Sequence, residues 1–501
     1  MTIHPEHSDY MPVAEFYKDS SIFITGGTGF LGKVLVEKLL WSCPGIKNIY
    51  LLMRPKRGQN VATRLAELIK SPILHRLRKA RPEDLNKIVP IIGDVAEPEL
   101  GISKSDQKLL IETVSVVFHA AAMIKFNETL KLAVTINLIG TKQLVKLCHH
   151  MLKLKALIYV STAYCNCDKD EVKEVIYPPP YDPEKIMQCI EWMDDKLIKT
   201  ITPVIIGNRP NTYTFTKALA ESVLLTESKN LPVAIVRPSI VLSARCEPVP
   251  GWVDGWAGPA GLLGAGGLGL FRTAYCHGGK VADMIPVDMV INLLICAAWH
   301  RAREPSKDIT VYNCCTGLQK PILWKNFVAL CYGYLRKHPL NDAVWYPDLR
   351  CNSNRIFNML CIFILHVLNA HILDLFFRLS GKKPKLVSMQ LKIQRTSKDF
   401  EFFTTNQWHF KDDNMRSLFN ILNAEDRHNF NFDVKDIEWP AVLESYILGI
   451  RSFNFNQHPS SLPQARRRMK KLFWMHHITQ VLVVLLLIWL SFVLFSRTFS
   501  F

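Results

Sequence analysis

The chain has 501 residues, 49% of them hydrophobic, which excludes a disordered scaffold and leaves room for two or three domains. Its formal charge of +17 is strongly basic. No basic stripe interleaved with aromatics accompanies that charge, so no nucleic-acid partner is expected, and an anionic lipid, a nucleotide cofactor or an acyl-CoA phosphate suits it better.

The first predicted element is a short buried strand over Ser-Ile-Phe-Ile-Thr, residues 21–25. The run Thr25-Gly-Gly-Thr-Gly-Phe-Leu-Gly32 follows, then a helix with Leu31, Val34, Leu35 and Leu39 on roughly one side. Gly26, Gly29 and Gly32 stand between strand and helix, where missing side chains let the backbone approach a pyrophosphate at the helix N-terminus. Thr25, Thr28, Phe30 and Leu31 belong to the same cofactor-binding turn.

Ile49–Met53 is a second apolar run. Arg54 ends it, where NAD enzymes usually place an acid on the ribose 2′-hydroxyl; an arginine there pairs with a 2′-phosphate and favours NADPH. A solvated surface charge is the alternative. Ile88–Ile92 is the third run. Asp94, with Val95 beside it, is placed to accept a hydrogen bond from the adenine amino group, or else caps a helix. The fourth run, Val114–Phe118, leads into His119-Ala120-Ala121-Ala122, whose small residues leave space for the cofactor. Asn137 falls on the next helix, where an amide can hold a backbone kink or a proton-relay water.

Ala156–Val160 is the fifth run, closed by Ser161 and Thr162. A hydroxyl there can donate to a substrate carbonyl oxygen. Thr162 is preferred and Ser161 kept as the alternate, because one position of register separates them. A long, acidic, proline-broken stretch then reads as an insertion beside the active site. Tyr213 and Lys217 share one helix face. An ammonium near a phenol favours the phenolate, so Tyr213 is expected to shuttle a proton near neutral pH. Val233–Val236 is the sixth run. Short apolar strands alternating with helices predict an α/β, Rossmann-like, doubly wound parallel sheet.

From Pro248 to Gly269 the composition predicts a flexible substrate-side loop. The very apolar run Ile356–Phe377 reads first as a buried core helix, with a membrane-surface or acyl-contacting helix as the alternative. His366, Asn369 and Asp374 argue against a span there. Ile478–Phe495 is uncharged and close to the ~20 residues that cross a bilayer. Arg466–Arg468 and Lys470–Lys471 precede it and Arg497 follows. A C-terminal tail anchor with the body in the cytosol is therefore expected, a core helix being the bland alternative. The expected organisation is a reductase domain over 15–330, a helical domain over 350–452, a basic linker over 453–471 and a membrane helix over 472–496.

The 13 cysteines are scattered and odd in number, no Cys/His cluster has metal-ligand spacing, and the polar start with His4, Glu6 and His7 is no signal peptide. A reducing compartment and no metal site are expected.

Four strings resemble the extended short-chain dehydrogenases: Thr25 to Gly32, His119 to Ala122, Val160-Ser-Thr-Ala-Tyr164 and Tyr213-x-x-x-Lys217. Leu51 to Gly58, Tyr177-Pro-Pro-Pro180, Glu191-Trp-Met-Asp-Asp195, Arg209 to Tyr213 and Val236 to Val241 narrow the resemblance to the fatty acyl-CoA reductases. The region from about residue 350 resembles their male-sterility-type domain, so nearly the whole chain is covered. The resemblance implies reduction of a long-chain acyl-CoA to an alcohol, with NADPH used twice through an aldehyde, for wax or ether lipid synthesis. Tyr213 and Thr162 would serve the developing oxyanion, and the glycine-rich loop and the run 356–377 would wall the acyl chain. The vertebrate peroxisomal members look most similar, which implies a tail anchor in the peroxisomal membrane, with the endoplasmic reticulum second; those members carry a longer tail. Two rival readings are a membrane-tethered sterol dehydrogenase or isomerase and a catalytically silent NADPH-binding scaffold.

Overall fold

Ser21–Thr25 (β1) is buried at every position, as a central parallel strand between two helical layers must be. The computed structural model describes residues 10–498 apart from positions 57, 305, 307 and 382. His4, Glu6, His7, Arg57 and the Arg497 side chain lie outside the described residues. Asn48–Met53 (β2), Ile88–Ile92 (β3), Val114–His119 (β4), Ala156–Val160 (β5), Val233–Pro238 (β6) and Thr310–Cys314 (β7) complete a seven-stranded sheet. All its pairings are parallel and the order is β3-β2-β1-β4-β5-β6-β7. Chain direction reverses its progress across the sheet between β1 and β4, and the carboxyl ends of the strands at such a switch point are where open α/β sheets place the crevice for their ligands.

Six strands coincide with the apolar runs of the sequence. β7 was not anticipated, because Asn313 interrupts its apolar pattern. That amide is buried and donates to the carbonyls of Val172 and Lys411 at 3.1 and 2.8 Å. Three helices position the site: Phe30–Ser42 (α1), Val61–Lys70 (α2) and Thr212–Glu227 (α3). Asn60 and Asn211 cap α2 and α3 by accepting from the amides of Thr63 and Thr214. The insertion between Thr162 and Tyr213 holds two further helices, Pro183–Trp192 and Asp195–Ile206, capped by Asp182 and Asp194.

The chain forms two compact units that interleave along the sequence. The first comprises the chain up to Asp254, Val281–Ile322 and Gln407–Glu438, and contains the whole sheet. The second comprises Gly255–Lys280, Leu323–Asn406 and the chain from Trp439.

Two expectations are corrected in the second unit. The glycine-rich stretch is not a loop throughout: Pro259–Gly267 is a helix, begun by Pro259. Its glycines are packing devices, since a Cβ on Gly266 would meet Tyr332 Oη at 2.2 Å. The run 356–377 is not a buried core helix. It lies in one continuous helix, Arg355–Leu379 (α4), whose apolar residues face outward. Ile356 is 81% exposed and Leu379 77%, while Asn358, His366 and Asp374 are buried. Its apolar content suggests a core helix, but its few buried residues are mainly the polar Asn358, His366 and Asp374.

The last helix, Leu462–Thr498 (α5), begins ten residues before the expected span. Its foot packs Met469 and Leu472 against Ala343 and Tyr346. From Ile478 to Phe492 its apolar side chains stand exposed on every side.

Candidate active site

The floor of the crevice is a chain of hydrogen bonds joining the glycine turn to β4. The Ala121 amide donates to Thr25 Oγ1 at 3.2 Å, and Thr25 Oγ1 lies 2.6 Å from His119 Nδ1. His119 Nε2 lies 3.0 Å from Thr141 Oγ1, which donates to the Asn137 carbonyl at 2.7 Å. These partners assign one tautomer: Thr25 donates to Nδ1, and Nε2–H donates to Thr141. Burial, then the Lys217 charge, holds the His119 pKa down to about 3, so the ring is neutral. Thr25 and His119 are fully enclosed; they support the cofactor floor from beneath.

Gly26 has φ +76°, and a Cβ there would meet the Ala121 nitrogen at 2.6 Å. A Cβ on Gly32 would meet the Gly26 carbonyl at 2.2 Å. Both glycines are demanded by the turn itself. Gly29 is exposed, and as the N-cap of α1 it offers no side-chain acceptor to the first helical amides. Those amides, with Phe30 and Leu31 in the first turn, fit a pyrophosphate. Phe30 stacks on Trp252 at 5.3 Å, and Lys33 pairs with Asp254 at 2.7 Å, so the segment after Pro248 folds back beside the turn. Ala120 and Ala121 line the β4 end, half-buried. Val95 is buried; its carbonyl would meet a Cβ on Gly140 at 2.7 Å.

At the rim, Arg54 is 61% exposed and pairs with Asp94 at 3.1 Å. Asp94 also accepts from the Ala96 amide at 3.1 Å. Arg64, on α2, donates to the Arg54 carbonyl and, at 3.2 Å, to Thr28 Oγ1.

At the other side of the crevice, β5 and α3 meet. Alternation along the strand end separates the two hydroxyls. Ser161 turns back and donates to Glu221 Oε1 at 2.5 Å, whereas the Thr162 hydroxyl, which lies 3.5 Å from the Pro238 carbonyl, is on the side of the Tyr213 phenol. Lys217 Nζ donates to the Val160 carbonyl at 2.6 Å and to Tyr159 Oη at 3.2 Å. Burial lowers the Lys217 pKa to about 7, against the pull of Glu221. Burial also raises the phenol of Tyr213, and the Thr162 bond only partly opposes it. Burial therefore favours the protonated phenol over the phenolate at Tyr213.

Asn137 lies in one wide, π-type turn, Thr135–Ile139. Its side chain accepts from the Met123 amide at 2.7 Å and donates to Thr216 Oγ1 at 2.9 Å, joining the loop after β4 to α3.

Two family models described as "Male sterility protein" match residues 24–294 and 365–457. Fatty acyl-CoA reductase 1 of Gallus gallus is 40% identical over 97% of this chain and 94% of its own length. Fatty acyl-CoA reductase 2 of Mus musculus is 38% identical over 95% and 92%. The chain belongs to the fatty acyl-CoA reductases.

Solved structures share the fold of this fatty acyl-CoA reductase at low identity. The terminal R domain from the myxalamid PKS-NRPS pathway has a TM-score of 0.58 at 17% identity, covering 86% of this chain and 90% of that one. A reductase (R) domain of a nonribosomal peptide synthetase from Mycobacterium tuberculosis has a TM-score of 0.57 at 17% identity, covering 86% and 92%. The first matched stretch carries the glycine turn, Thr162, Tyr213 and Lys217, and its family is an NAD-binding one, so a nicotinamide cofactor belongs to this half of the reductase.

Sequence reasoning missed three residues of the reductase site. Arg64 lay beyond any motif, although it is a basic residue in the first turn of the helix after β2. Glu221 continues the Tyr213–Lys217 face by one turn, which was a usable signal. Arg237 sits in the Val236 to Val241 string but had no assigned partner. It donates to both carboxylate oxygens of Glu221, at 2.8 and 2.6 Å, in full burial.

Proposed function

We propose that the chain reduces long-chain fatty acyl-CoA to fatty alcohol and CoA, using two NADPH in succession. The observation that carries this reading is that Lys217, one turn beyond Tyr213 on α3, donates to the Val160 carbonyl at 2.6 Å and so fastens the helix bearing Tyr213 to the strand end bearing Thr162. NADPH supplies the hydride when bound at the glycine turn. The thioester carbonyl oxygen fits between Tyr213 Oη and Thr162 Oγ1. As charge develops on that oxygen, Tyr213 gives it a proton and Thr162 a hydrogen bond. A phenol kept protonated by burial is the form a reduction needs. Lys217 holds the strand end at Val160 and offsets charge left on Tyr213. The resulting hemithioacetal expels the CoA thiol and yields the aldehyde, which the same two hydroxyl groups serve in the second reduction.

The preference for NADPH over NADH rests on Arg54, which is exposed beyond its contact with Asp94, and on Arg64 behind it. We assign residues 15–330 to the reductase domain, 350–452 to the helical domain, 453–471 to the basic linker and 472–496 to the anchor. The exposed apolar surface of α5 supports a tail anchor with the body in the cytosol. The peroxisomal membrane is the first assignment and the endoplasmic reticulum the second, on the resemblance alone, with wax or ether lipid synthesis as the destination.

The test is to incubate the purified full chain with NADPH and a panel of acyl-CoAs and identify the lipid products. Fatty alcohol supports the proposal. Steroid turnover points to a sterol dehydrogenase, and cofactor binding without any product to a silent scaffold.

A further inference from the structure

α4 presents two incompatible surfaces. On its inner side Asp374 accepts from the amides of Lys385, Leu386 and Val387 at 2.9–3.0 Å. Asn358 accepts from Thr273 Oγ1 at 2.7 Å, and His366 Nε2 accepts from the Arg272 amide at 2.9 Å. A helix moved across a bilayer would lose all of these partners. α4 is 25 residues long and apolar enough to span, but its polar side is committed to the second unit. The outer side is mostly apolar, with Asn369 and His371 as exposed polar residues on it.

The charges around that surface are predominantly basic, although Asp348 pairs with Arg350 at 3.8 Å and Glu401 with Arg355 at 3.7 Å. From Arg350 to Lys398 the sequence carries nine lysines and arginines and a single acid, Asp374. Asp374 is the buried group just described. Arg355, Arg378, Lys383, Lys385, Lys392 and Arg395 are exposed.

A third observation sets the level of the helix. Arg272, whose amide binds His366, lies with its guanidinium 5.8 Å from the Trp345 ring centre. Trp345 Nε1 donates to His476 Nδ1 at 3.1 Å, and Tyr346 stacks on His476 at 5.5 Å. His476 stands two residues before the uncharged stretch of α5. α4 and the foot of α5 are therefore held by one short segment, Trp345–Tyr346 and its neighbour Arg272.

We propose that α4 is an in-plane membrane helix, whose outward residues Ile356, Phe363, Ile364, Leu375, Phe376 and Leu379 enter the acyl-chain boundary of an anionic phospholipid bilayer. Its basic rim meets the headgroups. The level of the helix rests on the tail-anchor reading; the apolar face and its charges do not.

The test is to reconstitute the full chain into phosphatidylcholine–phosphatidylserine vesicles carrying a diazirine-tagged phospholipid, photolyse, and map the labelled peptides. Label is expected on the outward residues of α4 and within 478–495. A Phe363→Glu/Phe376→Glu variant should lose the α4 label and keep both the tail label and NADPH binding. Label on α4 with none on the tail would uphold this inference and sink the anchor. Label confined to the tail would overturn the inference and leave the reductase assignment untouched.

Discussion

The Lys217 ammonium nitrogen lies 2.6 Å from the carbonyl oxygen of Val160, so the helix carrying Tyr213 is fastened to the strand end carrying Thr162. Asn137 adds a second fastening, from α3 to the loop after β4. Small shifts of α3 would therefore move Tyr213 relative to the cofactor floor, and the bonds that resist such shifts are buried or part-buried.

Removing the donor alone tests its role. Tyr213→Phe keeps the ring and the packing. Turnover is expected to fall by about 10²-fold or more, the usual size of an acid–base contribution, with fold and NADPH binding retained. Near-normal rates would remove Tyr213 from the mechanism.

The cofactor preference tests the rim. Arg54→Ala and Arg64→Ala should each weaken NADPH by about 10- to 100-fold, from roughly 1.5–3 kcal/mol per charged hydrogen bond, and leave NADH nearly unchanged. Titration with both nucleotides decides it. Equal weakening of the two would show that neither arginine meets the 2′-phosphate.

Lys217 predicts a pH dependence. Its pKa in the fold is about 7, below its ordinary 10.5, because burial penalises the ammonium. Raising the pH through 7 removes the charge that offsets Tyr213, so kcat/KM should fall on the alkaline side. Lys217→Arg stays charged and should lack that limb at whatever rate it retains. The same shift has a sign for stability. Between pH 7 and 10.5 the unfolded chain holds a proton that the folded one has released, so this group adds stability as pH rises and its cost is fully present below 7. Urea midpoints across that range, compared between Lys217→Met and the parent, measure it.

The Glu221–Arg237 pair predicts a stability effect separate from chemistry. Arg237→Ala leaves a buried carboxylate without its partner and should cost about 3–5 kcal/mol. Replacing both by leucine and methionine should cost less. Thermal melts of the three chains give the order, and a single variant as stable as the parent would contradict the buried geometry.

The tail predicts a fractionation result. Full-length chain should resist carbonate extraction, its body should be open to protease on intact organelles, and deletion of 478–501 should release it. A full-length chain that washes off, or a protected body, would remove the anchor.

The fold was legible where the physics is local. Buried parallel strands are apolar throughout, so six of seven announced themselves, and the glycine turn and the Tyr213–Lys217 spacing are fixed by backbone geometry. The remainder depends on partners distant in sequence. Asn313 hid β7 because its amide is satisfied by Val172 and Lys411. Ser161 and Thr162 differ by one step of strand alternation, which only Glu221 and Tyr213 distinguish. The exposure of α4 was not legible because an apolar run has the same composition whether its surface meets protein or not.

The hydrogen-bond path under the glycine turn starts at a backbone amide, Ala121, and ends at a backbone carbonyl, Asn137. Neither terminus changes protonation state near neutrality, so the path is a closed circuit with a fixed polarity. His119 within it is consequently a spacer: a donor on one side, an acceptor on the other, and never a cation. The platform beneath the nucleotide should keep one shape across the whole pH range in which the neighbouring Lys217 changes charge, which confines acid–base sensitivity in this crevice to the side where hydride is delivered.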